Sequence, residues 1–171
     1  MPNSAVYLEK TDTSSVPLIS KLAHTVWHQH YPSIIGTDQI NYMLELMYSD
    51  ASLKEQMTVK GNDFYLIKSD GKDIGFISVS KIKEVEGGFF IHKFYIDQTL
   101  AGKGTGTKVH NELVKLLKPS LMRLTVNRQN YKSINFYFKN GFKIESVADF
   151  DIGNGFVMDD FVMVWTPPVS L

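Results

Sequence analysis

The run FFIHKFYID, residues 89–97, leads through Gln98 and Thr99 into LAGKGTGTK, which sets Gly102, Gly104 and Gly106 at alternate positions, and then into VHNELVKLLKP. The first run is bulky and β-branched, as a buried central strand requires. Val109, Leu113 and Leu116 give the last segment an apolar face at helical spacing, and Pro119 stops it. LMRLTVN then resumes as a strand. Strand, glycine turn, helix and strand in that order need a crossover connection, so the chain is committed to a sheet with helices packed on it.

The rest of the chain fits that frame. AVYLEK reads as a short first strand, and Val16, Ile19, Leu22, Ala23 and Val26 recur at helical spacing behind the candidate caps Ser14 and Ser15. Thr37 is expected to cap a second helix, with Asp38 in its first turn and Ile40, Met43, Leu44 and Met47 as its stripe. DFYLIKS, the turn DGKD and IGFISVSKI predict a hairpin, and a second hairpin runs through EVEGG into the central strand. After LMRLTVN comes a helix over YKSINFYFKN, closed by Gly141 as a left-handed cap, and two strands, FKIESVADFDI and FVMDDFVMVW, joined near GNG. The order β-α-α-β-β-β-α-β-α-β-β predicts a mixed α/β or α+β fold.

With 171 residues, 43% of them hydrophobic, and no linker or repeat, one domain over 1–171 is expected. The 18 basic side chains cancel the 18 acidic ones, so no global field draws nucleic acid, and an anionic ligand must be met locally. No apolar stretch approaches the roughly 18 residues of a spanning helix, and MPNSAVYLEK has no leader pattern, which points to a soluble, cytoplasmic protein with no membrane partner. Cysteine is absent, which removes disulfides, thiolate metal ligands and a cysteine acyl-enzyme.

A glycine turn between strand and helix gathers free N–H groups at the positive end of a helix dipole, which is an anion site. It is not a Walker loop, because Val109 stands where the hydroxyl should follow the lysine. Nor is it a Rossmann fingerprint, since Thr107 occupies the last glycine position. In context, FYIDQTLAGKGTGTKVHNELVKLL resembles the signature of the GNAT superfamily of N-acetyltransferases, in which Arg/Gln-x-x-Gly-x-Gly/Ala opens a helix. Gly104 and Gly106 match the two glycines, while Ala101 replaces the usual Arg or Gln. VNRQNYKSINFYFKNGFKI resembles the second hallmark of that family, with Asn130 and, seven residues later, Tyr137 in their places. Ser133 replaces a small alanine there, and Asn135 is an added polar group. Two further segments, TVWHQHYPSIIGTDQINYMLELMYS and FDIGNGFVMDDFVM, look like the bacterial spermidine/spermine (PaiA-type) branch.

The resemblance implies a seven-stranded mixed twisted sheet with about four helices, acetyl-CoA as cosubstrate, and direct attack of a primary amine, a polyamine or related small molecule, on the thioester. It implies a diphosphate loop at Gly102, Lys103, Gly104, Thr105, Gly106 and Thr107, and a pantetheine contact at Asn130, with Asn135 beside it. It also implies backbone oxyanion donors in Phe94, Tyr95 and Ile96 and a proton donor to the leaving thiolate in Tyr137. Trp27, His28, His30 and Tyr31 are expected in the acceptor wall, with Asp159 and Asp160 drawing the cation. The base is left open among Asp97, Glu45, Asp149, Asp151, Asp159, Asp160 and a water chain. No metal is expected: His24 and His28 lie one turn apart with His30 close by, but no third ligand is specified. A homodimer through the last strands is a possible assembly. The alternatives are a protein N-terminal or lysine amine as acceptor, a silent acyl-CoA-binding module and, more remotely, a nucleotide-binding protein.

Overall fold

The computed structural model describes residues 5–169, so the first residues of the N-terminal segment and the end of the TPPVSL tail lie outside it. Seven strands form one sheet: β1 Val6–Thr11, β2 Asp63–Ser69, β3 Lys72–Lys81, β4 Gly88–Ile96, β5 Leu121–Asn127, β6 Lys143–Gly153 and β7 Phe156–Trp165. Their order across the sheet is β1-β2-β3-β4-β5-β7-β6, antiparallel throughout except where β4 meets β5. Five α-helices, rather than the expected four, cover the faces: α1 Val16–His30, α2 Thr37–Tyr48, α3 Asp50–Thr58, α4 Thr105–Leu117 and α5 Tyr131–Lys139. No helix among the described residues is long and apolar enough to cross a membrane.

The additional helix is α3. Ser49 caps it by accepting from the Ser52 amide, and only Leu53 and Gln56 face inward, so it carries almost no apolar stripe to announce itself. Two other local expectations shift. Gly36, not Thr37, stands at the cap of α2. Leu116 is about half exposed, whereas Val109 and Leu113 bury fully. The stop at Pro119 is made one residue earlier, by Lys118 in the left-handed region at φ 46°.

Strand alternation splits the core in two. Phe64, Leu66 and Phe76 face α1, α2 and α3, and Tyr65, Ile67 and Ile77 face the side that α4 and α5 cover. Both layers meet at β4. Its parallel ladder with β5 runs only from Gly88–Leu121 to Ile91–Leu124 and then ends, while β5 stays paired to β7 as far as Asn127–Asp160. A register shift between Ser78 and Val79 makes His92 the extra residue of a β-bulge in β4, and a bulge bends and twists its strand. Beyond it the rings of Phe94 and Phe136 meet at 5.7 Å, filling the space from which β5 has withdrawn. The result is a cleft through the middle of the sheet.

The course of β4 also depends on Gly75. A side-chain carbon there would overlap the Tyr95 carbonyl oxygen on the paired strand. Gly75→Ala is expected to cost about 1–3 kcal/mol in chemical denaturation by displacing β4. An unchanged denaturation midpoint with an unchanged slope would show that β4 is not pinned at this contact.

Candidate active site

The cleft opens into a cavity of about 430 Å³. Its walls come from the end of α1, from α2, from β4 and the β4–α4 loop, from α5, and from the inner faces of β5 and β7.

The β4–α4 loop is shaped by its own polar groups. The Asp97 carboxylate accepts from the Thr99 amide at 2.9 Å, from the Thr99 hydroxyl at 2.8 Å and from Gln29 at 3.0 Å. Burial pushes its pKa up, but these hydrogen bonds outweigh burial and hold it below the ordinary carboxylate value. Asp97 is therefore a loop-former and a poor proton acceptor. Gly104 occupies the cap of α4 at φ 82°, a conformation that favours glycine, with open space where a side chain would be. Gly106 has no such room, since a side-chain carbon would press on the Phe136 ring at 2.7 Å. The amides of the first turn of α4 thus face a ligand space with no side chain in the way, and Lys103 and Lys132 stand at the same mouth. This donor set suits a diphosphate.

Of the three strand residues expected to polarise a carbonyl, only two offer free amides. Asp97 donates to Ile74 on β3, so by antiparallel alternation Tyr95 also bonds towards β3, and Phe94 and Ile96 point to the side that β5 has left. Tyr95 contributes its side chain instead, with its hydroxyl 3.4 Å from that of Tyr31. Asn130 lines the cavity and also caps α5, accepting from the Ser133 amide at 3.2 Å. Tyr137 is buried against the rings of Phe94, Phe136 and Phe142. Burial, with Tyr31 nearby, pushes its phenol well above the ordinary value, so it stays protonated at any ordinary pH.

The α1 end of the cavity is aromatic, with Trp27 and Tyr31 at 4.4 Å between ring centroids and Trp27 and Tyr95 at 5.9 Å. One carboxylate enters the cavity among the described residues, that of Asp160, which is 1% exposed and has an oxygen without a hydrogen-bond partner. Burial raises its pKa to about 6 against the opposing pull of Thr125 and Arg128. Burial of the ring, then the neighbouring Tyr95 and last the Asp160 charge hold the Tyr31 phenol well above its ordinary value.

The cavity gathers Trp27, Tyr31, Phe94, Tyr95, Ile96, residues 102–107, Asn130, Tyr137 and Asp160. It does not take in His28, Asn135 or Asp159. His28 is exposed on α1 with its ring bonded to the His24 carbonyl at 2.7 Å, and Asn135 is exposed on α5. Asp159 is held with Asp149 by Arg128, at 3.5 Å and 2.9 Å. Glu45 and Asp151 are likewise exposed and off the cavity. The sequence reading missed Lys93, Thr125 and Lys132 and took His92 as structural; all four line the cavity, and so does His30, which was expected beside Trp27 and Tyr31. Among the described residues no group of side chains is arranged to hold a metal ion.

A sheet parted beside a bulged strand, with a helix-capping glycine loop at one mouth and an aromatic wall at the other, has the form of an acyl-CoA-dependent transferase. The acetyltransferase (GNAT) family pattern matches residues 26–142, and the chain belongs to that family, N-acetyltransferases that draw their acetyl group from acetyl-CoA. It is similar to spermidine N(1)-acetyltransferase of Thermoplasma acidophilum, 25% identical over 162 residues that cover 91% of this chain and 96% of that one. Its fold matches that of the PaiA N-acetyltransferase of Thermoplasma acidophilum, solved in complex with coenzyme A, with a TM-score of 0.77 and 24% identity over 95% and 99% of the two chains. A GCN5-related N-acetyltransferase from Rhodopseudomonas palustris aligns with a TM-score of 0.78 and 16% identity over 98% and 99%.

Asp160 has a measurable signature. Its folded pKa, about 6, lies above its unfolded value near 3.9, so the folded state holds its proton longer and stability falls as pH rises from about 4 to about 6. At pH 7.5 Asp160→Asn is expected to be the more stable protein by about 1–2 kcal/mol, the difference vanishing below about pH 4. Thermal melts of both proteins across that range check it; a variant less stable at pH 7.5 contradicts the burial account.

Proposed function

We propose that residues 1–171 work as one domain that moves acetyl from acetyl-CoA to the primary amine of a small molecule, with polyamines as the leading acceptor class. The observation that carries the acceptor reading is Asp160, the cavity-lining carboxylate with an unpartnered oxygen. An alkylammonium arriving with a pKa of about 10.4 finds there the counter-charge it needs, and the aromatic wall of Trp27, Tyr31 and Tyr95 suits a cation on an alkyl chain. The likeness to a spermidine acetyltransferase supports the same class.

The loop amides after Gly102 and the Lys103 ammonium hold the diphosphate, and Asn130 directs its remaining amide group at the pantetheine arm. Phe94 and Ile96 donate to the carbonyl oxygen as it gains charge in the tetrahedral intermediate. Asp160 receives the ammonium and its proton, directly or through water, leaving a neutral nitrogen to attack the thioester carbon. The C–S bond then breaks with Tyr137 donating towards the departing sulfur. Val147 and Phe150, exposed on the edge strand β6, support a homodimer through the last strands.

Thiol release from acetyl-CoA, followed over polyamines, amino acids, aminoglycosides and peptides, tests the acceptor class. Spermidine is expected among the best substrates, with Asp160→Asn raising the amine KM at least ten-fold and leaving that of acetyl-CoA nearly unchanged. Release with peptides alone would move the acceptor to a protein amine, and CoA binding without release would leave a silent acyl-CoA module.

Tyr137→Phe removes the donor and keeps the ring contacts. A hydrogen bond donated to the charged sulfur contributes about 1.5–3 kcal/mol, so single-turnover chemistry should slow by about 10- to 100-fold while acetyl-CoA binding persists. A chemical step within a few-fold of the parent protein returns Tyr137 to packing alone.

A further inference from the structure

One side chain in the cavity has no place in the chemistry above. Lys93 is 7% exposed and lines the cavity from β4, one residue before Phe94. The bulge at His92 turns it to the α2 side, where its Nζ lies 5.0 Å from the centre of the Tyr48 ring. No carboxylate pairs with it among the described residues; the only charged neighbour that acts on it is another cation, Lys60. A buried ammonium without a counter-ion is held at a cost that a neutral group would not bear.

We propose that Lys93 is itself an acetyl acceptor, modified by the acetyl-CoA bound in its own cavity when no amine substrate is present. Its amine is the nucleophile type that the reaction uses, on a flexible four-carbon stem, and its strand also carries the Phe94 and Ile96 amides that would polarise the thioester. Burial, followed by the charge of Lys60, lowers its pKa to about 8, so at pH 7 about a tenth is already the free base. The ammonium loses one proton to solvent, the Nζ lone pair forms the C–N bond, and the C–S bond breaks. The sulfur leaves as thiolate, the acylated nitrogen gives up its second proton to solvent and the thiolate takes one from solvent, giving CoA thiol and acetyl-Lys93. The new amide carries no charge, which removes the burial penalty and makes the acceptor half less repulsive to a second cation.

The test uses the full-length protein incubated with acetyl-CoA alone. Site-resolved peptide mass spectrometry follows acetylation of Lys93 against that of the exposed Lys21 and Lys54, with and without an excess of desulfo-CoA as an unreactive competitor. Lys93 is expected to acquire acetyl at least ten-fold faster than either reference lysine and to be protected by the competitor. Lys93 reacting no faster than the reference lysines, or reacting equally with the site blocked, overturns the proposal. Thiol release with spermidine, measured on the same sample, keeps the two readings apart. Release with Lys93 unmodified removes this inference alone, while Lys93 acetylation without release to any added amine supports it and removes the small-amine reading.

Discussion

The separation of β4 from β5 beyond Ile91 and Leu124 governs the rest of the structure. Backbone amides buried without partners cost about 1–3 kcal/mol each, so two strands do not part in the middle of a sheet unless something else occupies the gap. Here the gap is filled on one face only. On the α4–α5 side the Phe94, Phe136 and Tyr137 rings pack into it, and on the other side it stays open as the cavity. The bulge at His92 makes the divergence possible on the β4 side, and the unbroken β5–β7 ladder keeps β5 from following. Because the glycine loop starts where β4 ends, the same divergence fixes where α4 points its first turn. Loop, free amides and aromatic wall therefore share one cause.

A chain with no net charge still sorts its charges around that cleft. Lys103, Lys132 and Lys139 stand along the α4–α5 mouth, where screening by solvent leaves each worth little alone but the set can meet a polyanion. The acids lie on β6 and β7. Asp149 and Asp159 face each other directly across those strands, and Arg128 draws them together, so their charge is already answered. Asp160 points to the other face, into low dielectric, where a single carboxylate carries far more weight than several exposed ones.

What could be read from the sequence, and what could not, follows the reach of each signal. The strand-loop-helix unit and the Asn130 to Tyr137 spacing are local and were legible. Three site residues went astray through neglected periodicity. Trp27 and Tyr31, four apart, share a face of α1 that includes His30, whereas His28 is turned away by about 100°. Tyr137, Ser133 and Asn130 share a face of α5 that Asn135 cannot join, and strand alternation forbids Asp159 and Asp160 from entering one cavity. Lys93 was beyond such arithmetic, because a bulge resets the alternation and nothing in FFIHKFYID announces where it falls. The α3 helix was hidden by its thin stripe, although Ser49 followed by Asp50 is a start signal.

The burial of Tyr137 narrows what its proposed role can be. A phenol of ordinary pKa near 10 facing a thiol near 8.5 must give up its proton uphill by about 2 kcal/mol, and burial pushes this phenol higher still. Full transfer thus becomes less favourable as the site becomes drier. A hydrogen bond to a charged acceptor, however, contributes about 1.5–3 kcal/mol and strengthens in the same dry surroundings. The two trends cross in favour of a phenol that donates throughout and keeps its proton while sulfur carries the charge. The thiolate is then protonated by solvent as CoA departs. On that account the hydroxyl is kept neutral and aimed by its packing against Phe94, Phe136 and Phe142, and the contacts that look merely structural are what set its chemistry.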